Sequence, residues 1–247
     1  MPHLLVINPN TTSSITELLH RHCAQALVQQ DVLVQATTAR FGAPYIVDEA
    51  SYAVAGHACL DAWAAWLAQT ATPPAAVLVG CFGDPGLWAL RESAPMPVTG
   101  LAEAAFAAAA ARHGRFAVVT GGAGWKPMLE RLAAALGHGS ALAAVHTVAP
   151  SGAQLAADPQ GARALLTQAC RDALRQSGAN AVVLGGAGLA GMAAMIEPEV
   201  GAPVIDSVLA GARHAAALLG QPGMRRAAGF STPWNGLSPE MEALGPG

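Results

Sequence analysis

Two short apolar runs that end in glycine-rich turns constrain the fold of this chain more than any other feature. The first covers residues 77–86, Val-Leu-Val-Gly-Cys-Phe-Gly-Asp-Pro-Gly, and the second covers residues 182–188, Val-Val-Leu-Gly-Gly-Ala-Gly. Each is typical of a buried strand that ends at the carboxyl edge of a sheet, where glycine lets the backbone approach a ligand closely. The two turns differ in chemistry, because the first presents Cys81 where the second has Gly186.

Strand patterns alternate with helical patterns along the chain, and the alternation restarts near residue 116. Cys81 precedes Pro97 by 16 residues, and Gly186 precedes Pro203 by 17, which indicates an internal duplication. Alternation of this kind gives parallel sheets with right-handed crossovers. We therefore predict an α/β fold of two pseudo-symmetric lobes, each with a parallel sheet flanked by helices, and an active site in the cleft between them.

The predicted first lobe comprises residues 1–97 together with 206–247, and the second lobe comprises residues 98–205. The chain becomes rich in proline and glycine after residue 220. This composition favours a surface tail over a third domain.

The composition excludes several classes of protein. Hydrophobic residues make up 53% of the chain and charged residues 12%, with a net charge of −3 and no basic run, which argues against binding to nucleic acid or to a membrane surface. No apolar run reaches the ~18 residues that span a bilayer, and the amino terminus carries no export signal. We expect a cytoplasmic protein that acts on a small molecule. The apolar surplus predicts a homo-oligomer.

Four stretches at the ends of predicted elements carry a resemblance. They are residues 7–12 (Ile-Asn-Pro-Asn-Thr-Thr), 40–44 (Arg-Phe-Gly-Ala-Pro), 80–86 and 185–188. In this order and spacing they resemble the aspartate/glutamate/hydantoin racemase superfamily, and within it the hydantoin and allantoin racemases most closely. The resemblance extends over nearly the whole chain, to about residue 220.

The resemblance implies an isomerase that works without a cofactor at a carbon next to a carbonyl, in a hydantoin, allantoin or an amino-acid derivative. Two cysteines, one from each lobe, flank that carbon: one removes a proton as thiolate, and the other delivers one to the opposite face. Cys81 matches the first cysteine, but the second falls on Gly186. The protein is then a natural one-thiol member, or carries a substitution at this position, or takes the second proton from water in the vacated space.

Two alternatives to a racemase follow from the missing cysteine. One is a single-cysteine decarboxylase or isomerase of small carboxylic acids, in which Cys81 protonates an enediolate after loss of CO₂. The other is a binding protein for small acids that kept the cleft without the chemistry.

The turn after the first apolar run suits Cys81 to acid/base work. Removing a proton next to a carbonyl needs a base at the carbon and donors for the developing enolate oxygen. A thiolate can serve if the thiol pKa falls towards neutrality, and backbone N–H groups and the following helix favour that fall. A buried, inert cysteine is the simpler interpretation. We assign it to the cysteines in helical patterns, Cys23, Cys59 and Cys170.

Metal and nucleotide sites are not predicted. The four cysteines show no paired spacing and should be free thiols, and the eight histidines show no ligand spacing. The glycines of residues 121–124 lack the Lys-Ser/Thr of a phosphate loop.

The predicted substrate-binding residues lie where strands end. At the first strand Asn10, Thr11 and Thr12 offer donors for a carboxylate or ring carbonyl, although they or the serines that follow could instead cap a helix. Thr120 and Gly121 hold the equivalent place in the second lobe. The two glycine-rich turns add Phe82, Gly83, Ala187 and Gly188.

Three charged residues have competing interpretations. Asp84 could orient a group or accept a proton, but Asp-Pro-Gly is also a plain turn signal, which we favour. Arg40 could pair with an anionic substrate or lie on the surface. Asp206 ends a predicted strand and is a candidate for closing the cleft.

Overall fold

The structure is a computed structural model that describes residues 1–150, 152–225 and 227–246. Its first part alternates strands and helices as predicted. In chain order these elements are β1 (His3–Asn8), α1 (Ser13–Ala26), β2 (Leu33–Thr38), α2 (Glu49–Gln69), β3 (Ala76–Val79), α3 (Leu87–Ser93), β4 (Val98–Gly100) and α4 (Leu101–His113).

The second part repeats the alternation. It comprises β5 (Phe116–Gly121), α5 (Trp125–Ala135), β6 (Leu142–Val148), α6 (Gly152–Ala157), α7 (Pro159–Ser177), β7 (Ala181–Gly185), a 3-10 turn (Ala187–Leu189), α8 (Met192–Val200), β8 (Val204–Asp206), α9 (Ser207–Ala217) and α10 (Pro239–Glu242). No helix was predicted at α3, α6, α8, α9 or α10; α3, α6 and α10 are short, and Pro198 lies within α8.

Two parallel sheets with the same strand order form the lobes. Within the described residues the first sheet runs β2-β1-β3-β4 and the second runs β6-β5-β7-β8. The central strands β1, β3, β5 and β7 are almost wholly buried, since helices cover both faces. The predicted α/β fold with two similar lobes is confirmed.

The sheets divide the chain differently from the predicted lobes at two places, residues 98–100 and Asp206, which ends β8 of the second sheet. The predicted division placed residues 98–100 in the second lobe, but β4 pairs with β3 and therefore belongs to the first sheet. The chain crosses to the second lobe through α4, which contacts both β4 and β7. The strand β8 pairs with β7, and α9 returns to pack against α1 and α4.

The carboxyl-terminal segment packs onto the first lobe. Phe230 meets Trp63 of α2 edge-on, with ring centroids 6.4 Å apart. Arg40 binds Asp61 of α2 at 2.6 and 2.8 Å and Glu240 of α10 at 3.0 Å. Arg40 thus joins α2 to α10 and is committed to two carboxylates of the chain, which leaves the substrate-pairing interpretation without support.

Candidate active site

A narrow cavity lies between the lobes where β1, β3, β5 and β7 end. Its volume is about 40 Å³, room for only a few water molecules. Seven of the predicted site residues line it: Asn10, Cys81, Phe82, Thr120, Gly186, Ala187 and Gly188. The duplicated strand–turn units therefore bring the thiol and its glycine counterpart to one cavity.

Cys81 sits in the turn directly after β3 and is 8% exposed. Its carbonyl accepts a hydrogen bond from the backbone N–H of Asp84 at 3.1 Å. Burial raises the pKa of the Cys81 thiol, and the negative charge of Asp84 and the neighbouring Cys59 raise it further. This direction is opposite to the fall towards neutrality that would favour a thiolate base.

The space around Gly186 would admit a side chain, but its backbone conformation is unfavourable for any residue other than glycine. A β-carbon there would meet Leu189 at 3.6 Å and the Thr120 hydroxyl at 4.0 Å, both ordinary contacts. The φ of +139° is one that residues with a side chain rarely adopt. The Gly186 N–H donates to the Ser207 hydroxyl at 3.2 Å, which fixes this turn to the start of α9.

Two cleft side chains retain hydrogen-bonding capacity for a ligand. The Oδ1 atom of Asn10 accepts from Nδ2 of Asn8 at 3.0 Å and from the N–H of Thr12 at 2.9 Å. No partner within the described residues takes the Asn10 Nδ2 donor, nor the hydroxyl of Thr120, and the two side chains are 7% and 3% exposed. They are the side-chain groups best placed to hold a carbonyl oxygen.

The other four predicted substrate-binding residues secure the walls of the cavity. Thr12, at the N-cap of α1, donates its hydroxyl to Pro44 and makes no cap bond. The N–H of Thr11 donates to Ala43 at 3.2 Å. The carbonyl of Gly83 accepts from the Tyr52 hydroxyl at 2.8 Å, and that of Gly121 accepts from the Tyr45 hydroxyl at 3.0 Å.

A first-lobe strap, residues 45–49, covers the cleft and was missed from the sequence. Its Tyr45 and Ile46 line the cavity, and Ile46 is only 2% exposed. A β-carbon on Gly124 of the second lobe would overlap the carbonyl of Val47. Glu49 then forms a two-pronged ion pair with Arg131 of α5 at 2.5 and 2.9 Å. The strap is therefore attached to the second lobe along its length.

Aromatic rings lock the two lobes together beside the cavity. Phe82 of the first lobe covers Gly185 of the second, and Trp125 of the second covers Gly83 of the first. Trp125 also lines the cavity and was missed, because a tryptophan in the first turn of a helix carries no pattern that points to a cleft.

Asp84 and Asp206 cap helices. Asp84 accepts from the N–H groups of Ala102 and Glu103 at the start of α4. This helix begins too far along the chain for the local turn signal to have indicated the contact. Asp206 accepts from Val208 at the start of α9 and from Gly191. Neither carboxylate lines the cavity.

The remaining cysteines take no part in the cleft. Cys23, Cys59 and Cys170 lie in α1, α2 and α7, are 0% exposed, and are free. Burial raises the pKa of each thiol, which agrees with the inert role predicted for them. The described residues contain no group of three or more His, Cys, Asp or Glu suited to a metal ion, and no helix among them is long and apolar enough to cross a membrane.

Comparisons with known proteins agree with this architecture. The chain is 32% identical to the hydantoin racemase of Paenarthrobacter aurescens over 216 residues, covering 87% of this chain and 90% of that protein. It is 33% identical to the hydantoin racemase of Rhizobium meliloti over 222 residues, covering 88% and 89%. Among solved structures, allantoin racemase from Klebsiella pneumoniae superposes with a TM-score of 0.86 at 30% identity, with both chains covered in full.

A more distant neighbour shares the fold alone. Unliganded arylmalonate decarboxylase superposes with a TM-score of 0.59 at 19% identity over 90% of this chain. The family description "Asp/Glu/Hydantoin racemase" matches residues 4–215, which include every residue of the cleft and both sheets except His3 at the start of β1. The chain belongs to the Asp/Glu/hydantoin racemase family.

Proposed function

We propose that this protein exchanges the proton on a carbon next to a carbonyl in a hydantoin-type ring, with Cys81 as its acid/base and without a cofactor. The hydantoin and allantoin racemases that it resembles support the substrate class. The observation that carries the proposal is the Cys81 thiol at the end of β3, in one cavity with two uncommitted donors, Asn10 and Thr120. These donors suit the enolate oxygen that develops when the proton leaves.

The second half of the proposal concerns stereochemistry. Racemisation needs proton transfer on both faces of the carbon, and Gly186 gives the second lobe no thiol. Thr120, whose hydroxyl lies 4.0 Å from the vacant β-carbon position, and water in that space are the donors left for that face. A hydroxyl or water is a far weaker acid than a thiol, so return of the proton from Cys81 dominates.

Proton exchange and racemisation, followed together in D₂O, test the proposal. Enantiopure 5-substituted hydantoins and allantoin are incubated with the enzyme, deuterium uptake is read by NMR, and configuration is read by optical rotation. We expect deuterium uptake at least about tenfold faster than loss of rotation. Equal rates would overturn the one-thiol mechanism, and no exchange with any substrate would overturn the enzymatic assignment.

Matched thiol variants assign the reaction to Cys81. Cys81→Ala should abolish exchange, whereas Cys170→Ala, which removes a buried thiol outside the cleft, should leave it intact. An intact rate in Cys81→Ala would contradict the proposal.

The two alternatives predict other outcomes. A decarboxylase would release CO₂ from a small malonate and place one deuterium at the product carbon, with Cys81 required. A binding protein would hold the ligand with equal affinity in the parent chain and in Cys81→Ala while exchanging no proton in either.

A further inference from the structure

We propose that Asp84 is a positioning residue for Cys81: its buried carboxylate ties the turn that carries the thiol to the start of α4 and places a negative charge in that turn. This inference rests on the proposed function, in which Cys81 is the acid/base. It gives Asp84 a task beyond the turn signal in the sequence.

The backbone around Asp84 is held in an unusual conformation. Among the described residues Asp84 is the only one other than glycine with a positive φ, +53°. Its N–H donates to the Cys81 carbonyl, and its carbonyl accepts from Leu87, both at 3.1 Å. A strained residue persists only where its surroundings over-determine it, and such residues cluster at functional sites. The turn that presents the thiol therefore depends on the placement of Asp84.

The carboxylate supplies that placement. It is 0% exposed and accepts from the N–H of Ala102 at 3.0 Å and of Glu103 at 2.8 Å, two donors that the start of a helix leaves free. A β-carbon at Gly100 would overlap the carboxylate, so β4 must end in glycine for Asp84 to reach the helix. The turn after β3 and the start of α4 are thereby joined.

The second lobe makes the same junction from the other side. The Asp206 carboxylate caps α9 through Val208 at 2.9 Å and Leu209 at 3.1 Å, and it also accepts from Gly191 in the segment after Gly186 at 2.6 Å. Asp206 lies at the end of β8, whereas Asp84, its counterpart in the first lobe, lies in the turn after β3 that carries Cys81. Only the first lobe, which carries the thiol, places the charge in the same turn as the reactive position.

The charges around this pair all act in one direction. Glu103 of α4 and the Tyr52 phenol and Cys59 thiol of α2 are the other ionisable groups that influence Asp84 or Cys81. The nearby Arg91 guanidinium is committed to Glu103 at 2.6 Å and to the Val98 carbonyl at 2.8 Å. Burial opposes formation of the Cys81 thiolate most strongly, and among the described residues the Asp84 carboxylate opposes it further.

We therefore expect the Cys81 thiolate to form at higher pH with Asp84 present than without it, and alkylation measures this without turnover. Iodoacetamide reacts with the thiolate, and peptide mass spectrometry reports Cys81 alone, since the other three thiols are 0% exposed. The midpoint of alkylation rate against pH should fall by about one unit or more in Asp84→Asn, making Cys81 roughly tenfold more reactive at about pH 9, where the Asp84 carboxyl of the parent chain is charged. Because alkylation needs no substrate, a failed proton-exchange assay would leave this result standing.

Asp206→Asn is the matched control. It removes an equivalent helix cap from the second lobe, so it carries a similar structural penalty, but its charge is not among those that act on Cys81. Its midpoint should equal that of the parent chain. Equal shifts in the two variants, or no shift in folded Asp84→Asn, would overturn the proposal.

A second pair of variants covers the case in which Asp84→Asn does not fold. Asp84→Gly accepts the positive φ without strain and removes the charge. Adding Gly100→Asp moves the carboxylate to the end of β4, the arrangement of the second lobe. We expect the midpoint to fall in Asp84→Gly and to return in the double variant. A midpoint that is unchanged in Asp84→Gly, or that stays low in the double variant, would overturn the role of the charge.

Discussion

The ring of Phe82 lies against the Cα atom of Gly185. Phe82 directly follows Cys81, and Gly185 directly precedes Gly186, so this contact joins the two turns. Phe82 is held from behind by Phe106, edge-on with centroids 5.7 Å apart, and Phe106 stacks on Phe116. This row of rings belongs to one buried cluster that extends through both lobes. The spacing between the two reactive turns is therefore set by an aromatic contact.

Gly185→Ala should disturb this contact, because the added methyl would overlap the Phe82 ring. We expect a loss of about 1–3 kcal/mol in the free energy of unfolding, the usual cost of overpacking, together with a drop in proton exchange. Urea denaturation and the D₂O assay measure the two effects. In a Phe82→Ala background the added methyl of Gly185→Ala should lower the free energy of unfolding much less. If the losses of the two single variants simply add in the double variant, the contact is refuted.

We predict that Ile46 limits the size of the substituent that the cavity accepts. Its side chain is 2% exposed and lines the cavity from the side of the strap. The volume of the cavity is only about 40 Å³. Ile46→Ala should raise kcat/KM for a 5-benzylhydantoin relative to 5-methylhydantoin by roughly tenfold or more, since one or two methylenes in an apolar pocket are worth that much. Val54→Ala, on the outer face of α2 with Val54 44% exposed, is the control and should leave the ratio unchanged.

The sequence predicted the framework of the cleft because strand ends have a local signature. Apolar runs closing in glycine located Cys81 and Gly186, and both line the cavity. Tyr45 and Ile46 were missed because they lie in an irregular segment. Such a segment has no local pattern that indicates whether it packs over the cleft. Asp84 was read as a turn residue because its hydrogen-bonding partners follow the next strand. Long-range contacts of this kind have no local pattern.

Stability should depend on pH through Asp84. Burial raises the pKa of its carboxyl to about 7, against the opposing effect of its two N–H donors. A carboxyl whose pKa is higher in the folded than in the unfolded state binds more protons when folded, so its contribution to stability falls as pH rises from about 4 to about 7. The free energy of unfolding, measured by urea at points across this range, should fall less steeply in Asp84→Asn. A parallel slope in both proteins would show that Asp84 does not titrate there.

Gly186→Cys should change the balance between exchange and racemisation. The β-carbon position is open, with Leu189 and Thr120 at ordinary contact distances, so the new thiol would enter the cavity. The φ of +139° makes any side chain costly, about 1–3 kcal/mol in the free energy of unfolding. Gly186→Ala carries the same backbone penalty without the thiol and is the matched control. We expect racemisation to approach the rate of deuterium uptake in Gly186→Cys alone, because only that variant supplies a thiol acid to the second face. A similar gain in Gly186→Ala would show that backbone rearrangement, and not the missing thiol, limits racemisation.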